Sequence, residues 1–277
     1  MAWPAWFAGM RVFAVSDIHI DHPGNRRWLE DLSQVDFRQD VLILAGDVSD
    51  SLALLAHCFQ LLSRRFQRVL YVPGNHEMWV LRDRPGLESF GKLELIRALA
   101  ASCGVAMQPV NFGPLAIVPL LSWYDDSFGE PSAELVERWM DYRACRWPAG
   151  TDARQINARL LAMNEAALQT SHRTVVSFSH FVPRLDLLGA RMTATTQLLR
   201  PVMGSTALES QVRRLMPTVH IYGHSHRVVD TTRDGIRYVN CALGYPTEQA
   251  DGPSTLRELS IPTMQAAQTA TESSPGP

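Results

Sequence analysis

The sequence predicts an α/β protein in which two β-sheets pack as a sandwich flanked by helices, with an inserted lid. Short apolar runs rich in Val, Ile and Leu alternate with amphipathic stretches of helical length, which is the pattern of a sheet covered by helices. Near the C-terminal end the pattern changes to short strands around Asp234-Gly235, a strong hairpin signal. A second sheet that carries antiparallel strands is therefore expected to pack on the first.

The predicted strands are short and nearly continuous in apolar residues, as expected of strands that are covered on both faces. They lie at residues 11–16, 41–45, 68–73, 115–120, 175–179 and 219–222, followed by the hairpin strands 228–232 and 236–239. Amphipathic stretches between them predict covering helices at residues 51–65, 87–102, 152–170 and 206–216. A helix between successive strands is the signature of the α/β class.

Strings of polar residues stand where several of these strands end. They are Asp17-Ile-His19, Gly46-Asp47-Val-Ser-Asp50, Gly74-Asn75-His76-Glu77, His180 and Gly223-His224-Ser-His226. Ligands in open α/β sheets gather beyond the carboxyl ends of strands, so we expect these side chains to meet at one edge. Glycine beside several of them lets the backbone turn sharply there. The set predicts a two-metal hydrolytic centre.

Seven of these side chains can bind metal through a carboxylate, an amide oxygen or an imidazole. They are Asp17, His19, Asp47, Asn75, His180, His224 and His226. The set contains no cysteine, and a mixed oxygen and nitrogen set without thiolate favours Mn, Fe, Zn or Mg over a structural cysteine zinc site. We therefore expect two divalent or trivalent metal ions as cofactors, whose identity the sequence leaves open.

The strings and their order resemble the calcineurin-like metallophosphoesterase superfamily, whose signature is D-x-H, G-D-x-x-D, G-N-H-E/D, a lone His and G-H-x-H. The match spans residues 10–245. The resemblance implies a four-layer α/β/β/α architecture. It also implies that Asp47 bridges two metal ions. One ion would be held by Asp17, His19 and His226, and the other by Asn75, His180 and His224.

The same resemblance assigns roles to three neighbours of the ligands. It implies that His76 protonates the leaving oxygen as a general acid and that Asp50 orients His76. It gives Glu77 a structural role, tying its loop to a neighbouring strand or helix. One position departs from the protein Ser/Thr phosphatases of the superfamily, because Ser51 stands where their G-D-x-V-D-R-G motif has a phosphate-binding Arg. This departure argues against an ordinary protein Ser/Thr phosphatase.

Two metal ions about 3.5 to 4 Å apart can stabilise the attacking and leaving oxygens of an in-line displacement at phosphorus. They also acidify bound water, so the nucleophile would be a metal-bound hydroxide. We expect a metal-dependent phosphoric ester hydrolase acting on a small or medium organic phosphomonoester. Two alternatives stay open: a phosphodiesterase for a cyclic nucleotide or similar substrate, and a non-catalytic scaffold that retains the fold. The presence of every ligand and of His76 disfavours the scaffold.

Residues 121–148 are rich in Trp, Tyr, Asp and Arg, and we interpret them as the inserted lid over the metals. Aromatic rings together with arginine suit a pocket for a phosphate on an organic body. The candidate substrate contacts in this segment are Tyr124, Asp125, Arg143 and Arg146. An equally open alternative is that the tryptophans only attach a surface excursion to the core.

The chain is long enough to bury an ample core. Its net charge does not indicate binding to nucleic acid. The chain has 277 residues, of which 46% are hydrophobic, and a formal net charge of −2. We expect a domain at residues 10–260, an extension at 1–9 too short to span a membrane, and a disordered tail at 261–277. Four scattered cysteines suit a reduced, cytoplasmic protein. The oligomeric state stays open.

Overall fold

The computed structural model describes residues 9–170, 172–189, 193–249 and 256–261. Its first sheet contains β1 (Val12–Val15), β2 (Val41–Ala45), β3 (Arg68–Val72), β4 (Val105–Ala106) and β11 (Arg257–Glu258). The strand order is β11-β1-β2-β3-β4. Strands β1 to β4 run parallel, and β11 runs antiparallel to β1 at the edge. The carboxyl ends of β1, β2 and β3 therefore lie side by side.

The second sheet is also mixed, as the sequence predicts. It contains β5 (Val110–Phe112), β6 (Leu115–Pro119), β7 (Thr174–Phe178), β8 (Val219–Tyr222), β9 (Val229–Arg233) and β10 (Ile236–Asn240). The order is β5-β6-β7-β8-β10-β9, with β5 and β9 antiparallel to their neighbours at the two edges. Asp234 and Gly235 join β9 to β10 with φ angles of 49° and 82°. Positive φ at both positions is the geometry of a type I′ hairpin turn.

Successive side chains of a strand point to opposite faces of its sheet. Residues of the strands therefore contribute alternately to two buried apolar layers. Val41 and Ile43 of β2 share one buried cluster with Val176 of β7 and Ile221 of β8, which places this layer between the sheets. The intervening Leu42 belongs to the other cluster, with residues of the covering helices. The predicted sandwich is thereby confirmed.

Eight α-helices connect the strands among the residues that the structure describes. They are α1 (Pro23–Asp31), α2 (Leu52–Arg65), α3 (Ser89–Ser102), α4 (Ala133–Arg138), α5 (Asp141–Ala144), α6 (Ala153–Ala162), α7 (Ala194–Leu199) and α8 (Thr206–Leu215). Of these, α2, α3, α6 and α8 contribute buried side chains to the apolar cluster on the outer faces of the sheets. The helices predicted at 51–65, 87–102 and 206–216 are observed as α2, α3 and α8. The helix predicted at 152–170 is shorter, because α6 ends at Ala162. Beyond it, Asn164 turns its side-chain amide to the backbone of Leu121, donating to the carbonyl at 2.8 Å and accepting from the N–H at 2.9 Å.

The two chain ends predicted to lie outside the domain fall largely outside the described residues. Of the extension 1–9 only Gly9 is described, and of the tail 261–277 only Ile261. Ile261 is 1% exposed and packs in the layer between the sheets, and the boundary between the domain and its tail stays a prediction. Within the described part of the chain, every helix is too short or too polar to cross a membrane.

Candidate metal centre

The predicted donors lie in loops at the carboxyl ends of parallel strands from both sheets. Asp17, Asp47 and Asn75 follow β1, β2 and β3 of the first sheet. His180 follows β7 and His224 follows β8 of the second sheet. Both sheets thus deliver polar side chains to one edge of the sandwich, where ligands of open α/β sheets are usually bound.

The donor atoms form two groups that share one carboxylate. The first group consists of atoms within 4.8 Å of one another from Asp17, His19, Asp47 and His226. The second consists, within the same limit, of atoms from Asp47, His180 and His224. Asn75 joins the second group, since its Oδ1 lies 3.3 Å from His180 Nε2. The structure brings all seven candidate ligands together with Asp47 in the middle, and their binding of metal stays a prediction.

Five of these seven residues have a left-handed backbone, which residues other than glycine rarely adopt. The φ angle is 53° at Asp17, 36° at His19, 54° at Asp47, 66° at His224 and 49° at His226. Each such residue costs free energy, and strain of this kind gathers at functional sites where the surrounding structure enforces it. The strain here coincides with the candidate ligands.

Two glycines of the motifs allow the carboxylates to lie against the backbone. A Cβ atom at Gly74 would lie 2.1 Å from Asp47 Oδ1. A Cβ atom at Gly223 would lie 2.6 Å from Asp17 Oδ2. Both distances are far inside van der Waals contact, so any larger side chain would displace the two carboxylates. This explains why glycine precedes Asn75 and His224.

Hydrogen bonds on the outer side of two imidazoles fix which nitrogen faces the centre. His180 donates its Nδ1–H to the carbonyl of Ala45 at 2.9 Å, and His224 donates its Nε2–H to the carbonyl of Val202 at 3.0 Å. The remaining nitrogens, His180 Nε2 and His224 Nδ1, lie 3.1 Å apart. Two lone pairs facing each other repel unless a proton or a metal ion lies between them. Nitrogens about 2.1 Å from one shared metal are about 3 to 3.4 Å apart, so the donors fit a metal ion.

The first group has a similar outer support. His226 donates its Nδ1–H to Glu248 Oε2 at 2.7 Å, which leaves Nε2 at 3.3 Å from Asp17 Oδ1 and 3.1 Å from His19 Nε2. A carboxylate behind a metal-binding histidine orients the ring and raises its basicity. The His19 ring stacks on Tyr245 with centroids 4.4 Å apart, which fixes its plane.

Buried charges in the two groups stabilise one another. Burial raises the pKa of Asp17, but the charge and hydrogen bond of His226 outweigh it and lower the pKa to about 2. Burial lowers the pKa of His226, yet Asp17 and Glu248 together raise it to about 10. Burial likewise opposes the rise in the pKa of His180 to about 9, which the Asp47 carboxylate causes. Both groups therefore favour positive charge at their centres.

Glu77 ties the motif loops together, as the sequence predicts for a structural role. Its fully buried carboxylate accepts hydrogen bonds from backbone N–H groups of two motif loops. The donors and distances are Asp47 at 3.0 Å, Val48 at 2.6 Å, Ser49 at 3.0 Å and Gly74 at 2.6 Å. Burial raises the pKa of Glu77, and these N–H groups oppose the shift. The carboxylate thus holds the backbone on both sides of the candidate centre.

Glu77→Gln is expected to destabilise the protein by about 2 to 4 kcal/mol, because the amide nitrogen would face backbone N–H groups that then lose their acceptor. Neutralising a buried charge returns part of that cost, so the loss stays below the sum of the broken bonds. Urea unfolding of metal-free protein measures it. Glu137→Gln is the matched control, since Glu137 is exposed on α4. Equal unfolding midpoints for the two variants would contradict the structural role of Glu77.

His76 lies at the edge of the first group. Its Nε2 is 3.7 Å from Asp47 Oδ2, and its ring stacks on Trp79 with centroids 3.8 Å apart. Its predicted partner Asp50 is paired instead with Arg82, whose Nη1 lies 3.2 Å from Asp50 Oδ1. Among the described residues no hydrogen bond joins Asp50 to His76. The stacking of the Trp79 ring therefore holds His76, and the orienting role of Asp50 stays a prediction.

The four predicted substrate contacts fall into two pairs. Tyr124 is 2% exposed and packs on Phe181, while Asp125 accepts hydrogen bonds in the interior, including one from Ser205 Oγ at 2.6 Å. The structure does not support these two as substrate contacts, because both side chains face the core. The side chains of Arg143 and Arg146 are exposed, and no described residue forms an ion pair with either. Their contact with substrate stays a prediction.

Several residues around the centre had no signal in the sequence. Glu248, Tyr245, Trp79 and Asp141 contact candidate ligands or His76, as Asn75 donates its Nδ2–H to Asp141 at 2.9 Å. Trp79 follows the motif at residues 74–77 by two positions, whereas Glu248, Tyr245 and Asp141 come from segments without a metal-binding motif or strand pattern. Only the fold brings them to the centre.

An α/β sandwich with a mixed oxygen and imidazole cluster at its strand ends is an arrangement that suits a metal-dependent phosphoester hydrolase. The family described as calcineurin-like phosphoesterase matches residues 10–228, and the chain belongs to this family. The resemblance drawn from the motifs is confirmed, and so is the expectation of a phosphoric ester hydrolase.

Two comparisons find similar proteins along most of the chain. The chain is 28% identical over 261 residues to the [acyl-carrier-protein] phosphodiesterase PptH of Mycobacterium tuberculosis, covering 86% of this chain and 78% of that protein. The crystal structure of phosphopantetheinyl hydrolase (PptH) from the same organism superposes with a TM-score of 0.75 at 28% identity. This superposition covers 92% of this chain and 98% of the other, so the likeness includes both sheets.

Proposed function

We propose that this protein is a dinuclear-metal-dependent phosphodiesterase that releases a phosphopantetheinyl group from a carrier protein. The observation that carries the proposal is the pair of donor groups joined at Asp47, in a chain similar to PptH along nearly its whole length. The donor groups supply the phosphoester chemistry, and the similarity supplies the substrate class. The sequence alone favours a small phosphomonoester, so the proposal moves the preference to its phosphodiesterase alternative.

The distribution of charge also favours a diester. A phosphomonoester at neutral pH carries up to two negative charges, whereas a diester carries one. Among the described residues no Lys or Arg forms an ion pair with any of the seven candidate ligands. Ser51, which replaces the phosphate-binding Arg of protein phosphatases, caps α2 by accepting a hydrogen bond from the N–H of Leu54 at 3.4 Å. The position that holds a phosphate-binding Arg in those phosphatases therefore adds no positive charge for the second oxyanion of a monoester.

The proposed reaction divides the work between the metal ions and the side chains. Asp17, His19 and His226 would hold one ion, Asn75, His180 and His224 the other, and Asp47 both. When bound, the ions stabilise negative charge on the phosphate oxygens and activate water. His76 donates a proton to the oxygen that leaves phosphorus. Water supplies the new oxygen on phosphorus, the bond from phosphorus to the carrier oxygen breaks, and the carrier keeps a hydroxyl group.

The direct test is the intact mass of a holo acyl carrier protein after incubation with the chelated and then Mn-, Fe-, Zn- or Mg-reconstituted enzyme. We expect the carrier to return to its unmodified mass only with metal. Bis-p-nitrophenyl phosphate should also be hydrolysed faster than p-nitrophenyl phosphate. Faster turnover of the monoester with an unchanged carrier mass would favour the small phosphomonoester. Two bound ions without turnover of any ester would favour the scaffold.

A further inference from the structure

Asp141 is a buried carboxylate that connects three side chains around the candidate centre. It lies in α5, within the predicted lid, and is 2% exposed. Its Oδ1 accepts hydrogen bonds from Asn75 Nδ2 at 2.9 Å and from Trp79 Nε1 at 2.7 Å. Its Oδ2 accepts a hydrogen bond from Trp139 Nε1 at 2.7 Å. Burying a carboxylate is costly, and these three N–H donors compensate for the lost water.

Each of the three donors contacts the candidate centre with its other side. Asn75 directs its Oδ1 towards His180 Nε2 at 3.3 Å. The Trp79 ring stacks on His76 at an interplanar angle of 30°. Trp139 lies edge-on to the ring of His224, with centroids 6.0 Å apart. One carboxylate therefore supports a candidate metal ligand and the candidate general acid together.

We propose that Asp141 is a positioning residue, which holds the amide oxygen of Asn75 towards the second metal ion and fixes the Trp79 ring that orients His76. The inference rests on the proposed function, since it assigns Asn75 and His76 the roles given there. In this proposal residues 121–148 support the side chains of the centre instead of forming a lid over it.

The two ends of the Asn75 amide differ, and only one of its two orientations suits a cation. An amide can turn by 180° and exchange its oxygen for its NH₂ group, and only the oxygen can bind a cation. Asp141 accepts the NH₂ group and so selects the orientation with Oδ1 towards the second group. Asp141→Asn keeps one acceptor oxygen and loses the charge, so at least one of the three N–H donors would face an NH₂ group and the bonds that remain, including the one that orients Asn75, would be weaker.

Backbone pairing between the insert and the loop after Asn75 also supports the proposal. The N–H of Val80 donates to the carbonyl of Ala144 at 2.8 Å, and the N–H of Ser89 donates to the carbonyl of Arg146 at 2.8 Å. Ser89 Oγ in turn accepts from the N–H of Arg146 at 2.9 Å. All of these bonds lie at the C-terminal end of α5, and they attach the segment that carries Asp141 to residues 80–89, which follow His76 in the chain.

The test compares Asp141→Asn with Glu137→Gln, which removes the same charge from an exposed position of the same insert. Mn²⁺ is titrated into chelated protein, and the number of ions bound and the affinity of each are measured by calorimetry. For Asp141→Asn we expect one of two Mn²⁺ sites to weaken by about 10- to 100-fold, the range found when an outer partner of a metal ligand is removed. Glu137→Gln should leave both affinities unchanged.

The second part of the test concerns His76 and uses Trp79→Phe at saturating Mn²⁺. Phe keeps a ring beside His76 but cannot donate to Asp141. We expect this variant to lose more activity on an alkyl phosphodiester than on bis-p-nitrophenyl phosphate, because only the alkoxide needs a well-placed acid. This variant also decides the matter if Asp141→Asn does not fold.

Two results would overturn the role of Asp141. One is an Asp141→Asn variant that is less stable but binds both Mn²⁺ ions within about twofold of the unmodified protein's affinity, because the carboxylate would then serve stability alone. The other is an equal loss of Trp79→Phe activity on both esters. If the proposed function failed, the unmodified protein would bind two ions without hydrolysing phosphoesters. The Mn²⁺ titration would still decide whether Asp141 positions Asn75.

Discussion

Asp47→Asn is expected to lower metal-dependent phosphodiester hydrolysis by at least about 10³-fold and to weaken Mn²⁺ binding, whereas chelation should abolish turnover in the unmodified protein. A carboxylate shared by two cations supplies several kcal/mol of stabilisation, and about 4 kcal/mol corresponds to a factor of about 10³. The amide has no charge and one acceptor oxygen. In the variant, the side-chain amide would also lie beside Nε2 of His180, which is 3.4 Å from Asp47 Oδ2. His180 already has one proton on its other nitrogen, Nδ1.

The measurement is the hydrolysis of bis-p-nitrophenyl phosphate by chelated and then Mn²⁺-reconstituted protein, with Mn²⁺ bound per chain counted in parallel. Asp36→Asn is the matched control, because Asp36 is an exposed carboxylate outside the centre. It should keep full activity and both ions. An Asp47→Asn variant with two tightly bound ions and turnover within about tenfold of the unmodified protein would mean that Asp47 does not bridge them.

The sandwich and the positions of its ligands could be predicted because each follows from a local pattern. Strand β2 is a continuous apolar run and β8 is an apolar run interrupted by His220, and the observed bounds of both equal the predicted ranges. The motif residues follow these runs directly, so predicting the strand also predicts where Asp47 and His224 lie. Short edge strands gave no such signal: β4 and β11 have two residues each, too few for a periodicity.

The residues that support the ligands could not be predicted, because their partners are far away in sequence. Glu248 reaches His226 from a turn after the second sheet, and Asp141 reaches Asn75 from 66 positions along the chain. Nothing in the local sequence distinguishes them from exposed acids. The aromatic insert was ambiguous for a related reason: Trp123 packs in the core while Trp139 bonds to Asp141, although both are tryptophans in a polar segment.

His76→Ala is expected to keep both metal ions and to lose about 10²- to 10⁴-fold in rate on esters with a poor leaving group, the usual contribution of a positioned general acid. The ring lies beside the centre without belonging to either donor group, so its removal leaves the candidate ligands in place. An alkoxide leaves slowly unless it is protonated. A p-nitrophenolate leaves without help, so its ester should lose far less.

The decisive measurement is therefore a series of phosphodiesters that differ in the pKa of the leaving alcohol, assayed with unmodified protein, His76→Ala and His57→Ala. His57 is a suitable control because it lies on α2 and pairs with Glu30 at 3.3 Å, away from the candidate ligands. The rate of His76→Ala should fall more steeply as the leaving group becomes more basic, while His57→Ala should follow the unmodified protein. The same slope for all three would show that His76 is not the acid, and an equal loss on every ester would assign it to binding the phosphate instead.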